Sequence, residues 1–122
     1  MMKKKTLVLG SSENTERYSN KAIRMLNKFG HSVVAHGLRE GTVESIPIQT
    51  SFTDEMKDID TITLYLSGKN QVTYYDKIIE LNPTRVLFNP GTENPEFEQL
   101  LEEKGIQTER ACTLVLLSTE SY

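Results

Sequence analysis

The apolar positions of this chain come in short blocks set apart by polar turns, and the period changes from block to block. Thr6 to Leu9 reads TLVL, a run of the kind that fills a strand buried on both faces. Gly10 ends it, and the polar stretch SSENTERY follows. From Ser19 the period becomes helical. Ala22, Ile23, Leu26 and Phe29 share one face, Ser19 stands at the N-cap and Gly30 where a helix-terminating glycine belongs. Ser32 to Ala35 is a second short strand, broken by Gly37, and the turn Leu38–Gly41 carries Arg39 at its centre. Ile46-Pro47-Ile48 is an extended piece whose proline keeps it off a central strand position. Thr53 to Asp58 is polar and fits one helical turn.

The third strand is Thr61 to Leu66, TITLYL, ended by Ser67 and Gly68. Asn70 is placed to cap the next helix, whose buried face is Val72, Tyr75, Ile78 and Ile79 and which stops at Asn82 before Pro83. Arg85 to Phe88 is the fourth strand. Asn94-Pro95 then opens a helix with a capping side chain and a proline at the first position. Glu96 and Glu98 sit in that helix's positive first turn, Phe97, Leu100 and Leu101 face inward, and Gly105 closes it. Ile106 to Arg110 is the fifth strand. Thr113 to Leu117 is too short and too uniformly apolar to assign by period, and a helical turn packed on the sheet is the reading taken. The alternation of strand and helix predicts a single α/β domain over residues 1–122. Its expected form is Rossmann-like: three α/β/α layers, a parallel five-stranded sheet and strand order 3-2-1-4-5. The loops after strands one to four would then surround one crevice.

Composition narrows the function classes. The chain has 122 residues, 37% of them hydrophobic, enough for a real core. Its formal net charge of -3 gives no bulk attraction to nucleic acid. Lys3, Lys4 and Lys5 form a small basic run read as a solvated N-terminus. No apolar stretch approaches the roughly 20 residues of a membrane span, and no signal-peptide core follows Met1. A single cysteine excludes an internal disulfide and fits a reducing compartment, so a cytoplasmic protein is expected.

The turn after the first strand suits a phosphate. Gly10 lets the backbone pass close to a ligand, Ser11 and Ser12 offer hydroxyls, and Arg17 adds a cation beside a helix N-terminus. The dinucleotide fingerprint GxGxxG is absent, since Ser12 and Thr15 stand where its second and third glycines would. By itself the pattern leaves two readings open, a phosphate site and a plain hydrophilic connection. Arg39 is expected on the same sheet edge as this turn. His31 and His36 have no metal-site spacing and read as loop-edge residues, and no metal site is expected. Cys112, between Ala111 and the apolar run, reads as a buried core thiol. Asp60, Glu93, Tyr74 and Tyr75 occupy ordinary structural positions, so no catalytic constellation emerges.

Taken together, VLGSSENTERYSNKAIRML, GHSVVAHGLREG, NPGTENPEFEQLLEEKGI and ERACTLVLL resemble the CoA-binding domain family of Rossmann-like proteins. That family is similar to the nucleotide-binding domain of the succinyl-CoA ligase alpha subunit. The resemblance implies CoA or acyl-CoA as the ligand. Gly10, Ser11 and Ser12 would line its pyrophosphate loop, with Arg17, Tyr18 and Ser19 at the helix mouth. Gly37 and Arg39 would lie at the nucleotide end, although Leu38 replaces the proline of many relatives. Ser67 would border the pantetheine path, and Gly91 belongs to the matching Asn89-Pro90-Gly91 turn. The ligase's second domain, with its phosphorylated histidine, lies beyond the length of this chain. A small stand-alone binding module is therefore expected, with no membrane or nucleic-acid partner and room for an unidentified protein partner. The rival classes are an oxidoreductase-like NAD(P) domain and a purely structural partner domain. Against NAD stands the lack of an acid ending the second strand, where His36, Gly37 and Arg39 would at best suit a 2′-phosphate.

Overall fold

The computed structural model describes residues 2–122. Seven strands form one sheet: β1 (Thr6–Leu9), β2 (Val33–His36), β3 (Gly41–Val43), β4 (Ile46–Gln49), β5 (Thr61–Leu64), β6 (Arg85–Phe88) and β7 (Gln107–Arg110). Five α-helices accompany them: α1 (Tyr18–Lys28), α2 (Gly68–Gln71), α3 (Tyr75–Leu81), α4 (Pro95–Glu103) and α5 (Thr113–Ser118). Single 3₁₀ turns occupy Asp54–Met56 and Val72–Tyr74.

The sheet order is β3-β4-β2-β1-β5-β6-β7, with β3 antiparallel to β4 and every other pair parallel. This corrects the expected five strands in order 3-2-1-4-5, because the third predicted strand, β5, pairs with β1 on the side away from β2. The chain crosses from β1 to β2 through α1 on one face. From β2 it returns to β5 over the other face, carrying Phe52, Met56 and Ile59 onto Leu7, Leu9 and Ile62. Both orders keep right-handed crossovers, so uniformly apolar strands do not choose between them. The switch point thus lies between β1 and β5.

The two extra strands form a hairpin at the β2 edge. Glu44 and Ser45 turn it with φ of 49° and 71°, the double positive φ of a type I′ turn, without the Asn-Gly that usually signals one. Pro47 lies in β4, which bonds to β2 only beyond it, at Ala35↔Ile48 and His36↔Gln49.

Three layers result. Val8, Ala35 and Leu87 face Ile23 and Leu26 of α1 and Leu117 of α5. Leu7, Leu9, Ile62 and Phe88 face Ile78 of α3 and Phe97 and Leu101 of α4. Several local expectations shift. Ser19 is the second residue of α1, and Arg17 holds the N-cap position with its carbonyl accepting from Lys21 N. Ser67, not Asn70, holds that position at α2, and Val72 is 53% exposed rather than buried. Asn82 does end α3, in a left-handed conformation with φ 49°. Asn94 caps α4 as expected, its Oδ1 accepting from Phe97 N. No described helix is long and apolar enough to cross a membrane.

The edge of the sheet where β1 begins is stapled. The three N-terminal lysines are bonded rather than merely solvated: Lys3 Nζ donates to the Phe29 carbonyl, Lys4 Nζ to Tyr122 O at 2.6 Å and Lys5 Nζ to Lys57 O at 2.7 Å. Arg85, buried in β6, donates to Thr61 Oγ1 and Tyr122 O and lies 4.5 Å from the Tyr122 ring centroid. His31 is buried here, its Nδ1 accepting from Lys4 N at 2.9 Å and its ring edge-on to Tyr122. His36 is buried too, in β2, stacked on Phe52 at 4.6 Å. His31 stands in the loop before β2 but buried, and His36 is the last, buried residue of β2 rather than the loop-edge residue expected.

Candidate functional site

Because β2, β1, β5 and β6 are parallel and adjacent, their carboxyl ends lie side by side, and the four loops that leave them enclose one cleft of about 990 Å³. The β1 loop and the first turn of α1 form its floor. Leu38–Glu40 after β2 stand at one end, with Tyr65–Ser67 after β5 and Pro90–Thr92 after β6 opposite. Of the residues singled out from sequence, Gly10, Ser11, Ser12, Arg17, Tyr18, Ser19, Arg39, Ser67 and Gly91 all line this cleft.

Gly37 does not line it. A Cβ on Gly37 would lie 2.4 Å from the Ser11 carbonyl oxygen, so this glycine is the seat on which the β1 loop rests. The loop is anchored there from the other side as well. Gly10 N and Ser11 N both donate to His36 O, at 3.0 and 2.8 Å. Gly10 itself turns with φ +101°, and a Cβ would stand 3.2 Å from the Tyr65 backbone carbonyl.

The serines divide their work. Ser11 Oγ donates to Val8 O at 2.9 Å, so its only hydroxyl proton is committed inside the fold. Ser12 Oγ accepts from Asn14 N at 3.0 Å and keeps its proton for another partner. The Ser12 carbonyl accepts from Asn20 Nδ2, tying the loop to α1. No side chain caps α1. Its first-turn N–H groups therefore open toward the cleft with the helix's positive end, a suitable seat for an anion.

Around the mouth, Arg17 and Arg39 stand among Glu13, Glu16 and Glu40. Glu13 is already engaged, its carboxylate accepting from Thr42 N at 2.8 Å beside Gly41. Tyr18 and Leu38 leave apolar surface open at the rim, 66% and 84% exposed. Burial pushes the Tyr65 phenol up to about 12, which leaves it protonated and no base at neutral pH.

The sequence reading missed Tyr65 and Leu66, assigned to the third strand, which ends at Leu64, and Thr92. It also missed a buried polar tie behind the cleft. Asn89 Nδ2 donates to Thr63 Oγ1 and Leu64 O, and Asn89 Oδ1 accepts from Thr113 N. Gln71 donates to carbonyls of two cleft loops. Buried amides of this kind leave no mark in hydropathy. Cys112 is half-buried in the position before α5 and not the core thiol expected.

A family model described as CoA binding domain matches residues 4–118. An uncharacterized protein of known crystal structure is 40% identical, with 100% of both chains covered and a TM-score of 0.96. A Thermus thermophilus protein is 20% identical over 98% of this chain and 91% of its own, with a TM-score of 0.84. A hypothetical protein from Pyrococcus horikoshii OT3 is 23% identical over 96% and 83%, with a TM-score of 0.85. The last two share the fold. No curated protein matches the sequence.

Proposed function

The chain belongs to the CoA binding domain family, and from that premise we propose that the cleft holds coenzyme A or an acyl-CoA, as a binding module of the cytoplasm without catalytic machinery of its own. The observation that carries this reading is that the loops after β1, β2, β5 and β6, with the site residues that the resemblance implies, line one cleft at the mouth of an uncapped helix. Its volume lies at the top of the ~300–1,000 Å³ range of small-molecule sites, which suits a ligand longer than a mononucleotide.

In this reading the first-turn N–H groups of α1 and the Gly10–Ser12 loop hold the pyrophosphate. Arg39 meets the 3′-phosphate of the nucleotide, and Ser67 and Gly91 border the pantetheine arm. The bound coenzyme would supply a thiol that carries acyl groups, while the chain's own residues bind and orient it. The test is a thermal-shift panel of CoA, acetyl-CoA, dephospho-CoA, NAD, NADP and ATP. A specific ligand at about 100 times its Kd stabilises the native state by about 2.7 kcal/mol. CoA or acetyl-CoA should give the largest shift. Stabilisation by NAD or NADP with none by CoA would overturn the reading in favour of a dinucleotide domain.

A further inference from the structure

Gln71 ends α2 and is fully buried, yet it touches both loops at the far end of the cleft. Its Nε2 donates to Leu66 O of the β5 loop and to Thr92 O of the β6 loop, each at 2.8 Å. Its Oε1 accepts from Asn94 Nδ2 at 3.0 Å, and Asn94 is the residue that caps α4. Carbonyls on both sides of one nitrogen fix the amide's orientation, and both of its protons and its oxygen are used. No other side-chain type of this size donates two hydrogen bonds and accepts one without a charge. One amide therefore bridges the two loops just beyond the paired ends of β5 and β6.

We propose that Gln71 is a positioning residue for the arm end of the ligand. By bridging Leu66 and Thr92 it fixes the wall of the cleft along which the part of the ligand beyond the pyrophosphate must lie. This rests on the CoA reading above. The geometry separates the two halves of such a ligand. β2, which carries the Arg39 loop, lies on the opposite side of β1 from β5 and β6. At about 4.8 Å per strand spacing, the β2 and β6 loops spring from strands some 14 Å apart. A nucleotide alone can be held by the β2 loop and α1, whereas the arm must use the β5–β6 side, where the clamp lies.

The experiment compares CoA with its nucleotide fragment, 3′-phospho-ADP, by titration calorimetry on the parent, Gln71→Met and Gln71→Glu. Methionine keeps the volume and loses all three bonds. Glutamate keeps the shape and turns acceptor oxygens toward two carbonyls. CoA affinity should fall about tenfold or more, as for loss of buried hydrogen bonds, while 3′-phospho-ADP stays within about twofold. An equal fall for both ligands, or none for either, overturns the positioning role. Should neither variant fold, the Gln71 side-chain amide resonance of the parent decides. CoA should shift it and 3′-phospho-ADP should not, and equal response to the two refutes the proposal. A parent that binds neither ligand removes the CoA reading itself and the clamp proposal with it, a result distinct from equal losses in the variants.

Discussion

Gly37→Ala should destabilise the protein by about 2–4 kcal/mol, and the figure can be built from two contacts. The new methyl would stand 2.4 Å from Ser11 O and 3.1 Å from Ile48 Cγ2. Relief to even 3.0 Å requires the Ser11 carbonyl to move by about 0.6 Å, and backbone in a closed turn gives less readily than a side chain. That carbonyl's own residue, and Gly10 before it, are bonded to His36 O, one residue from the substitution, so any retreat lengthens two hydrogen bonds together. Gly91→Ala is the control. Gly91 has φ +90° but nothing within 4 Å of its Cβ position, so alanine meets only the dihedral cost. That cost is about 1 kcal/mol and is offset in part by a stiffer unfolded chain. Urea unfolding followed by circular dichroism measures both. CoA titration of the folded Gly37→Ala variant should also show weakened binding, because the β1 loop is displaced. If Gly37→Ala stays within about 0.5 kcal/mol of the parent, or costs less than Gly91→Ala, the steric account of the loop seat is wrong.

Arg39→Ala should weaken CoA by about 1.5–3 kcal/mol while leaving dephospho-CoA nearly unaffected, and titration calorimetry of both ligands reads the difference. An equal loss for the two would mean that Arg39 does not meet the 3′-phosphate. Stability should fall as pH drops below 6.5. Burial, with Lys3, Lys4 and Arg85 nearby, holds His31 below its ordinary value, and burial does the same for His36. The unfolded chain then takes up protons that the native state refuses, by up to about 1.4 kcal/mol per pH unit for each histidine. Urea midpoints between about pH 7.5 and 5.5 test this, and His31→Phe should flatten part of the slope. Cys112, half-buried, should react with a thiol reagent in the native protein, more slowly than in urea; complete native protection would place it in the core.

Strands β1, β2, β5 and β6 are legible because each is a short, largely apolar or β-branched block, and the opening of α4 follows from Asn94-Pro95 as read. Strand order is not, since TLVL, VVA and TITL are apolar or β-branched throughout and carry no mark of which neighbour each pairs with. The hairpin escaped notice because Glu44 and Ser45 lack the usual turn chemistry, and His36 because an imidazole stacked on Phe52 reads like any polar residue at a strand end. The candidate site survived the wrong order for a topological reason. In a parallel sheet every strand's carboxyl end reaches the same edge, so Gly10, Arg39, Ser67 and Gly91 meet there under either arrangement. What no pattern could supply was Gln71, a polar residue in a short helix whose role depends on two carbonyls, five and twenty-one residues away.

The charges around the cleft bear on how an anion could be held there. Two guanidiniums, Arg17 and Arg39, share the lining with three carboxylates, Glu13, Glu16 and Glu40, so the rim offers no net positive field to draw an anion from a distance. With a Debye length of about 8 Å at physiological salt, those exposed charges act on a ligand only at close range. If the proposed CoA reading holds, affinity for its pyrophosphate would come from short contacts, the uncapped N–H groups of α1 above all. These are fixed by the helix and by the Gly10 turn, and they require no side chain to be ordered on binding. A site of this kind selects by fit. It leaves the rim residues free to discriminate among ligands that share the pyrophosphate, and in the proposed CoA reading Arg39, which lines the β2 end, would meet one further phosphate.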